Sequence, residues 1–216
     1  MEGQTQKPRI ILICCEGKKT EPQYFKALMK ARRIGTGSVK VEIVPGAGKQ
    51  HQHKELINKS LVICDELRKK QNIEKDETIE IWAVCDKDQM NCSLKELEEY
   101  AKKCRVNLAF TDPQFEIVLL QHLCFSSTNS SKGKLEDLLS KKMRERSKNF
   151  VAARNKIKNL QYKKNNLQFF ENLFDEDRHV VEQAIENCRK LENRDNTPYT
   201  TAHNLLIRLL EFEVKV

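Results

Sequence analysis

The sequence has no long apolar segment. None of its hydrophobic runs approaches the roughly 20 residues that a membrane-spanning helix needs, and no secretory signal follows Met1. These absences argue against a transmembrane or a secreted protein, so we expect a cytoplasmic protein without a membrane partner. The 216 residues, 39% of them hydrophobic, are enough to bury one good core with a smaller helical part appended.

Paired cysteine motifs are also missing. The chain has eight cysteines, at positions 14, 15, 64, 85, 92, 104, 124 and 188, but no CxxC pair. Several of them fall inside predicted strands or helices. This scatter is typical of reduced, mostly buried thiols. It argues against a disulfide framework and against a cysteine-based zinc site.

A phosphate-binding loop of the Walker type is absent. Residues 45–49 (PGAGK) resemble one, but the pattern requires a glycine at position 43 and a serine or threonine at position 50, where the chain has Ile43 and Gln50. We therefore reject that interpretation. His51 and His53 follow in the same turn, and we interpret them as solvated histidines in preference to a metal site.

Acidic residues follow two predicted buried strands. Residues 10–15 form an unbroken apolar run with β-branched residues, which predicts a central parallel strand at residues 9–15, and Glu16 follows directly. Residues 77–85 form a second strand that leads into Asp86 and Asp88. Carboxylates of this kind suit Mg²⁺ or Mn²⁺. Taken alone, Glu16 would be interpreted as a solvated turn residue, and a single Asp-x-Asp is common in ordinary turns. The second strand that ends in acids is what favours a site.

Strands and helices are predicted to alternate over the first two-thirds of the chain. Strands are predicted at residues 9–15, 39–44, 77–85 and 106–110, with helices between them, the third of which starts with a capping box of Ser93 and Glu96. Right-handed crossovers then predict an α/β fold with a four-stranded, mainly parallel sheet flanked by helices. In the doubly wound order the first and third strands are neighbours, so Glu16 would face Asp86 and Asp88.

An apolar segment at residues 114–123 predicts a buried helix. Glu116 lies in its first turn, where an acid can either stabilise the helix dipole or serve the site. His122 lies six residues later, which is about 600° of rotation, so the two side chains do not share a face of a regular helix. A joint role would need a different helix start or separate tasks.

The chain changes character after residue 125. We divide it into a sheet domain at 1–125 and a basic helical part at 126–216, which begins with a polar linker at 126–133 and is expected to pack against the sheet domain. Residues 132–164 carry nine net positive charges, whereas the rest of the chain sums to −1. This density is typical of a polyanion-binding surface, although a solvated charged face is the alternative. Candidate phosphate contacts are Lys142, Arg144, Arg146, Arg154 and Lys156, together with Lys18 and Lys19 beside Glu16.

Three motifs resemble a known family. Residues 15–25 (CEGKKTEPQYF), 84–88 (VCDKD) and 112–122 (DPQFEIVLLQH) resemble the successive motifs of the RloB-like, AbiL-type abortive-infection family, which itself resembles the Toprim superfamily. The resemblance covers roughly residues 9–123, and residues 196–200 are similar too. The chain departs from it at Lys18 and Gln89, where relatives commonly carry acids, and at Thr111-Asp112, where they carry Ser-Asn.

The resemblance implies a metal-dependent nuclease that acts on DNA or RNA, including tRNA as a candidate, in prokaryotic antiviral defence. Glu16 would take the acid/base position, Asp86 and Asp88 would bind Mg²⁺ or Mn²⁺ together with Glu16, and Glu116 and His122 would assist. An ABC/AAA-type ATPase partner is implied as well, and a homo-oligomer is left open. The alternative is a non-catalytic nucleic-acid-binding or ATPase-regulatory subunit on a degenerate Toprim scaffold, with Lys18 and Gln89 as signs of erosion.

Overall fold

A computed structural model of the chain describes residues 10–47, 53–73, 78–87, 90–128, 132–148, 160–174, 179–192 and 198–214. Of the predicted site residues, Asp88, Arg154 and Lys156 lie outside these ranges, as does His51.

The described residues form strands and helices that alternate up to β4 and are mostly helical afterwards. None of these helices has both the length and the apolar character that crossing a membrane requires. In chain order the elements are β1 (Ile10–Cys15), α1 (Thr20–Arg32), β2 (Lys40–Val44), α2 (His53–Gln71), β3 (Ile79–Asp86), α3 (Leu94–Lys103), β4 (Asn107–Asp112), α4 (Glu116–Gln121), α5 (Lys132–Lys148), α6 (Leu167–Phe174), α7 (Val180–Glu192), β5 (Tyr199–Thr200) and α8 (Ala202–Leu210).

The sheet has the order β2-β1-β3-β4-β5. The first four strands are parallel and β5 pairs antiparallel with β4, Thr111 lying opposite Thr200. The predicted α/β class and the predicted adjacency of β1 and β3 are therefore confirmed. The predicted strand count of four was one too few. A strand of two residues is too short to produce a period-two pattern, and its pairing depends on contacts far along the chain.

Strand β1 is central because both of its faces are covered. All six of its residues are fully buried. Ile11 and Ile13 belong to one hydrophobic cluster, whereas Leu12 and Cys14 belong to the cluster on the opposite face. This division follows from the alternation of side chains along a strand. Since the sheet is covered on both sides, the exposed ends of its strands are the natural place for polar chemistry.

Local signals in the sequence fix several helix ends. Ser93 caps α3, because its hydroxyl accepts a hydrogen bond from the Glu96 amide at 3.2 Å while the Glu96 carboxylate accepts one from the Ser93 amide at 2.8 Å. The predicted capping box is thus confirmed. The predicted buried helix at 114–123 is shorter in the structure, where α4 spans Glu116–Gln121 with every residue buried.

The elements after residue 125 pack against the sheet layer. The larger hydrophobic cluster joins Tyr24 and Phe25 of α1 to Leu139 of α5, Phe170 of α6 and Leu205 of α8. The division at residue 125 stays a prediction about domain boundaries. The shared cluster shows that the α-helical part contributes directly to the core beside β1.

His122 is buried in this core among aromatic rings. Its Nδ1 lies 2.9 Å from the Val118 carbonyl oxygen and its Nε2 lies 3.1 Å from the Tyr24 hydroxyl. Because a carbonyl only accepts, Nδ1 carries the hydrogen, and Tyr24 therefore donates to Nε2. The rings of Tyr24 and Phe174 meet the imidazole edge to face. Burial lowers the pKa of His122 to about 4, which keeps the ring neutral at physiological pH.

This environment predicts a specific loss of stability in acid. Between pH 6.5 and 4 the unfolded chain binds a proton at His122 and the folded chain does not, so the free energy of unfolding falls as the pH drops through that window. The full single-site effect is about 3 kcal/mol. Urea unfolding of His122→Asn should therefore show a flatter pH dependence than the wild type across this range. The exposed His179, changed to Asn, is the control. Identical pH profiles for wild type and His122→Asn would contradict the prediction.

Candidate functional site

Glu16 and Asp86 meet where β1 and β3 end. The Glu16 amide donates to the Val84 carbonyl at 2.9 Å, which extends the β1–β3 pairing by one step. The Glu16 carboxylate then lies with Oε2 3.4 Å from the Asp86 amide nitrogen. The parallel pairing thus places both acids at one edge of the sheet, as the strand order predicts.

The Asp86 carboxylate is held in an unfavourable environment. Its Oδ1 is buried and has no hydrogen-bond partner among the residues that the structure describes. Burial, and then the negative charges of Glu21, Glu116 and Glu16, raise the pKa of Asp86 well above its usual range, while Lys164 acts in the opposite direction. A buried carboxylate without a partner is costly unless another group stabilises its charge.

Glu21 is a site residue that the sequence analysis missed. It lies in the first turn of α1 and is only 6% exposed. Burial is the main cause of the raised pKa of the Glu21 carboxyl, and the negative charges of Glu116 and Glu16 raise that pKa further. Gly17 makes room for it, because a Cβ at position 17 would come within 2.6 Å of Glu21 Oε1. The available signal was its position at the start of the helix that directly follows the short loop carrying Glu16 and Gly17.

The interpretation of His53 as a solvated residue was wrong. His53 is 1% exposed, because it is the first residue of α2, a helix that packs against β3. Its Nε2 lies 2.5 Å from the Asp86 carbonyl oxygen and 3.7 Å from Glu16 Oε2. Since the carbonyl accepts, Nε2 carries a hydrogen. His53 therefore ties the start of α2 to the backbone of Asp86 and also approaches Glu16.

Glu116 receives its partners from the C-terminal part of the chain. It is 1% exposed and accepts a hydrogen bond from the Tyr162 hydroxyl at 2.6 Å. The Lys164 Nζ lies 3.5 Å from the same oxygen, Oε1. Burial and the charge of Glu116 raise the pKa of Tyr162, so the hydroxyl keeps its proton. His122 bonds instead to Val118 and Tyr24, so the two residues have different partners, as their six-residue spacing predicts. A catalytic role for either one stays a prediction.

We use the name acid cluster for Glu16, Glu21, Asp86 and Glu116. Within the described part of the chain, no three or more His, Cys, Asp or Glu side chains are arranged as a ready set of metal ligands, and Asp88 lies outside that part. The electrostatics nevertheless fit a divalent cation, because Asp86 Oδ1 is buried with no hydrogen-bond partner among the described residues and the neighbouring carboxylates disfavour its charge. Mg²⁺ commonly binds through one or two carboxylates, with water and substrate phosphate completing its shell. Glu16 and Asp86 fit that requirement.

The predicted phosphate contacts have unequal surroundings. Lys18 and Lys19 are exposed beside the acid cluster. On α5, Arg144 is exposed, Lys142 forms an ion pair with Glu145 at 2.9 Å, and the half-buried Arg146 donates to the Leu173 carbonyl at 3.3 Å.

Arg146 thus connects α5 to α6, whereas Arg144 is available to a ligand. Nucleic-acid binding by these residues stays a prediction, and Arg154 and Lys156 lie outside the described residues.

Comparison with family models identifies the family of this chain. The family model described as RloB-like protein matches residues 11–209, which extends well beyond the motifs at 15–25, 84–88 and 112–122 and includes most of the helical part. The comparison with curated proteins gave no match, and neither did the comparison with solved structures. The match covers most of the chain. The chain therefore belongs to the RloB-like family.

Proposed function

We propose that this protein is a metal-dependent nuclease of the Toprim type. The observation that carries the proposal is the acid cluster, in which carboxylates from the ends of β1 and β3 and from the first turns of α1 and α4 surround Asp86. The Oδ1 atom of Asp86 is buried and has no hydrogen-bond partner in the described ranges of the chain. Stability alone does not favour such a concentration of like charge, which is characteristic of sites that bind a cation or exchange protons.

Mg²⁺ or Mn²⁺ would be held by Glu16 and Asp86, with Asp88 as a further ligand that the sequence motif supplies. When bound, the ion would stabilise the charge on phosphoryl oxygens and lower the pKa of an attacking water. Acidic oxygen ligands are the donor set that suits these two cations.

The residues of the chain have separate tasks in this proposal. Glu16 accepts the proton of the attacking water at its carboxylate, a role that contributes about 10²–10⁴-fold in other enzymes. His53 is a positioning residue, since its hydrogen bond to the Asp86 carbonyl fixes the end of β3 beside Glu16. Lys18 and Lys19, exposed in the adjoining loop, would contact substrate phosphates.

The exposed cations of α5 support a polyanionic substrate. Lys141 and Arg144 are exposed on a helix that packs against α4, the helix that begins at Glu116. Binding of a phosphate backbone along α5 would therefore bring a nucleic acid towards the acid cluster. DNA, messenger RNA and transfer RNA all present this backbone.

The biological setting in the proposal rests on the family resemblance. In an antiviral, abortive-infection system, an ABC/AAA-type ATPase partner would keep the nuclease inactive until infection. The non-catalytic alternative predicts a protein that binds nucleic acid or the ATPase but cleaves nothing, and the first experiment below distinguishes it.

Asp86→Asn and Glu16→Gln should each lower metal-dependent cleavage by about 10²-fold or more, because each removes a carboxylate on which cation binding or proton transfer depends. Cleavage of plasmid DNA, messenger RNA and transfer RNA with Mg²⁺ or Mn²⁺ measures this. Asp65→Asn, at an exposed position on α2, is the matched control and should retain full activity. Undiminished cleavage by Asp86→Asn would refute the site, and no cleavage by the wild type would favour the alternative.

Mn²⁺ should stabilise the wild type and not Asp86→Asn. Ligand at 100 times its Kd contributes about 2.7 kcal/mol, and each kcal/mol shifts the melting temperature of a protein of this size by about 2–4 °C. In EDTA, Asp86→Asn should have a higher melting temperature than the wild type, because the substitution removes a buried carboxylate surrounded by like charges. Thermal unfolding with EDTA and with excess Mn²⁺ tests both. Equal stabilisation of the two proteins by Mn²⁺ would place the metal elsewhere.

The double variant Lys141→Ala, Arg144→Ala should bind nucleic acid more weakly at low salt. It should also flatten the dependence of log Kd on log salt by about 1.4 on single strands or 1.8 on duplex, since each lost phosphate contact removes about 0.7 or 0.9. Lys69→Ala, Lys70→Ala is the control with the same charge change, at the end of α2 remote from His53. If the two double variants had the same slope, α5 would not contact the nucleic acid.

A further inference from the structure

A short segment of the C-terminal part covers one side of the acid cluster. We call residues 160–166 the strap. Leu160 and Tyr162 are buried at 2% and 3% exposure, so the strap is anchored in the core. The Tyr162 amide donates to the Ser140 hydroxyl on α5 at 2.9 Å, and the Tyr162 ring meets Phe169 of α6 edge to face at 5.1 Å. The strap thus has a fixed backbone position between two helices.

The anchored tyrosine directs the strap at Glu116. Its hydroxyl has one hydrogen, which is donated to Glu116 Oε1 at 2.6 Å. The Thr20 hydroxyl, 3.3 Å away at the start of α1, therefore donates to the Tyr162 oxygen. This chain of hydrogen bonds connects the first turn of α1 to the first turn of α4 through a residue that is remote from both in sequence.

Lys164 brings a positive charge to the same carboxylate. Its Nζ lies 3.5 Å from Glu116 Oε1, and its side chain is 41% exposed whereas that of Glu116 is 2% exposed. Its charge also lowers the pKa of both Asp86 and Glu21, against the effects of burial and of the neighbouring acids. One cation on the strap therefore acts on three members of the acid cluster.

A divalent ion bound by Glu16 and Asp86 would neutralise negative charge in the acid cluster, which Lys164 also does. Two cations that share one set of carboxylates repel each other, so each weakens the binding of the other. Because the Lys164 side chain is partly exposed and the strap is anchored through Leu160 and Tyr162, Lys164 can leave Glu116 without displacement of the strap.

We propose that Lys164 is the internal counter-ion of the acid cluster in the metal-free protein, and that it competes there with the divalent metal. The competition rests on the proposed metal site. The strap would then set the metal affinity of the site, and metal binding would release an ammonium group at its edge. Lys164 is a positioning residue in this scheme, because it acts through the carboxylates.

The experiment measures Mn²⁺ binding by isothermal titration to the full-length protein and to Lys164→Gln. Loss of the competing charge should tighten binding by about fivefold, the range of a partly exposed ion pair. Lys163→Gln removes the same charge from an exposed neighbour in the strap and should leave the affinity unchanged. In a Glu116→Gln background, Lys164→Gln should tighten binding less than it does in the wild type, because the carboxylate that holds Lys164 beside the cluster is gone.

A second measurement does not depend on metal. In EDTA, Lys164→Gln should lower the melting temperature by about 2–4 °C relative to Lys163→Gln, since the acid cluster loses its counter-ion. Equal melting temperatures, or unchanged or weaker Mn²⁺ binding by Lys164→Gln, would overturn the inference. If these shifts were found in a protein that cleaves no nucleic acid, the nuclease proposal alone would fail. Full cleavage without these shifts would refute the inference alone.

Discussion

The parallel pairing of β1 with β3 is the interaction on which the site depends. It continues past the last residue of β1, where the Glu16 amide donates to the Val84 carbonyl, and it brings Glu16 next to the Asp86 amide. Parallel strands have their carboxyl ends at one edge, so acids that follow each strand must meet there. The cost is mutual repulsion between carboxylates in surroundings that contain little water.

The structure offsets this repulsion with contacts that are unrelated to the sheet. Gly17 leaves space for the Glu21 carboxylate, and His53 holds the Asp86 backbone from the start of α2. Tyr162 and Lys164 provide a hydrogen bond and a positive charge to Glu116. Sites of this kind are commonly unfavourable for stability and are maintained by the surrounding fold, because their unsatisfied charge is what binds a ligand.

The C-terminal part therefore belongs to the site as well as to the core. Helices α5 and α6 hold the strap, and their apolar residues share one hydrophobic cluster with α1. The match to the RloB-like family covers residues 11–209, so it includes both the acid cluster and the strap. A domain that ended at residue 125 would lack Tyr162 and Lys164, the partners of Glu116.

The sequence by itself determined the features that have a local physical cause. An unbroken apolar run specifies the buried strand β1, a serine and a glutamate three residues apart specify the start of α3, and the strand-helix alternation specifies that Glu16 and Asp86 lie at one edge. Family motifs added the RloB-like assignment. These signals are short-range, so they can be read without knowledge of the packing.

Only the tertiary structure decided which other residues join them. Glu21, His53, Tyr162 and Lys164 occupy positions whose local pattern is that of ordinary helix-start, turn or basic-segment residues. Their roles depend on tertiary contacts: His53 contacts Asp86 across 33 positions and Tyr162 contacts Glu116 across 46. Periodicity shows which face of an element is apolar. It does not show which distant segment covers a given sheet edge, because that is determined by how the helices pack together.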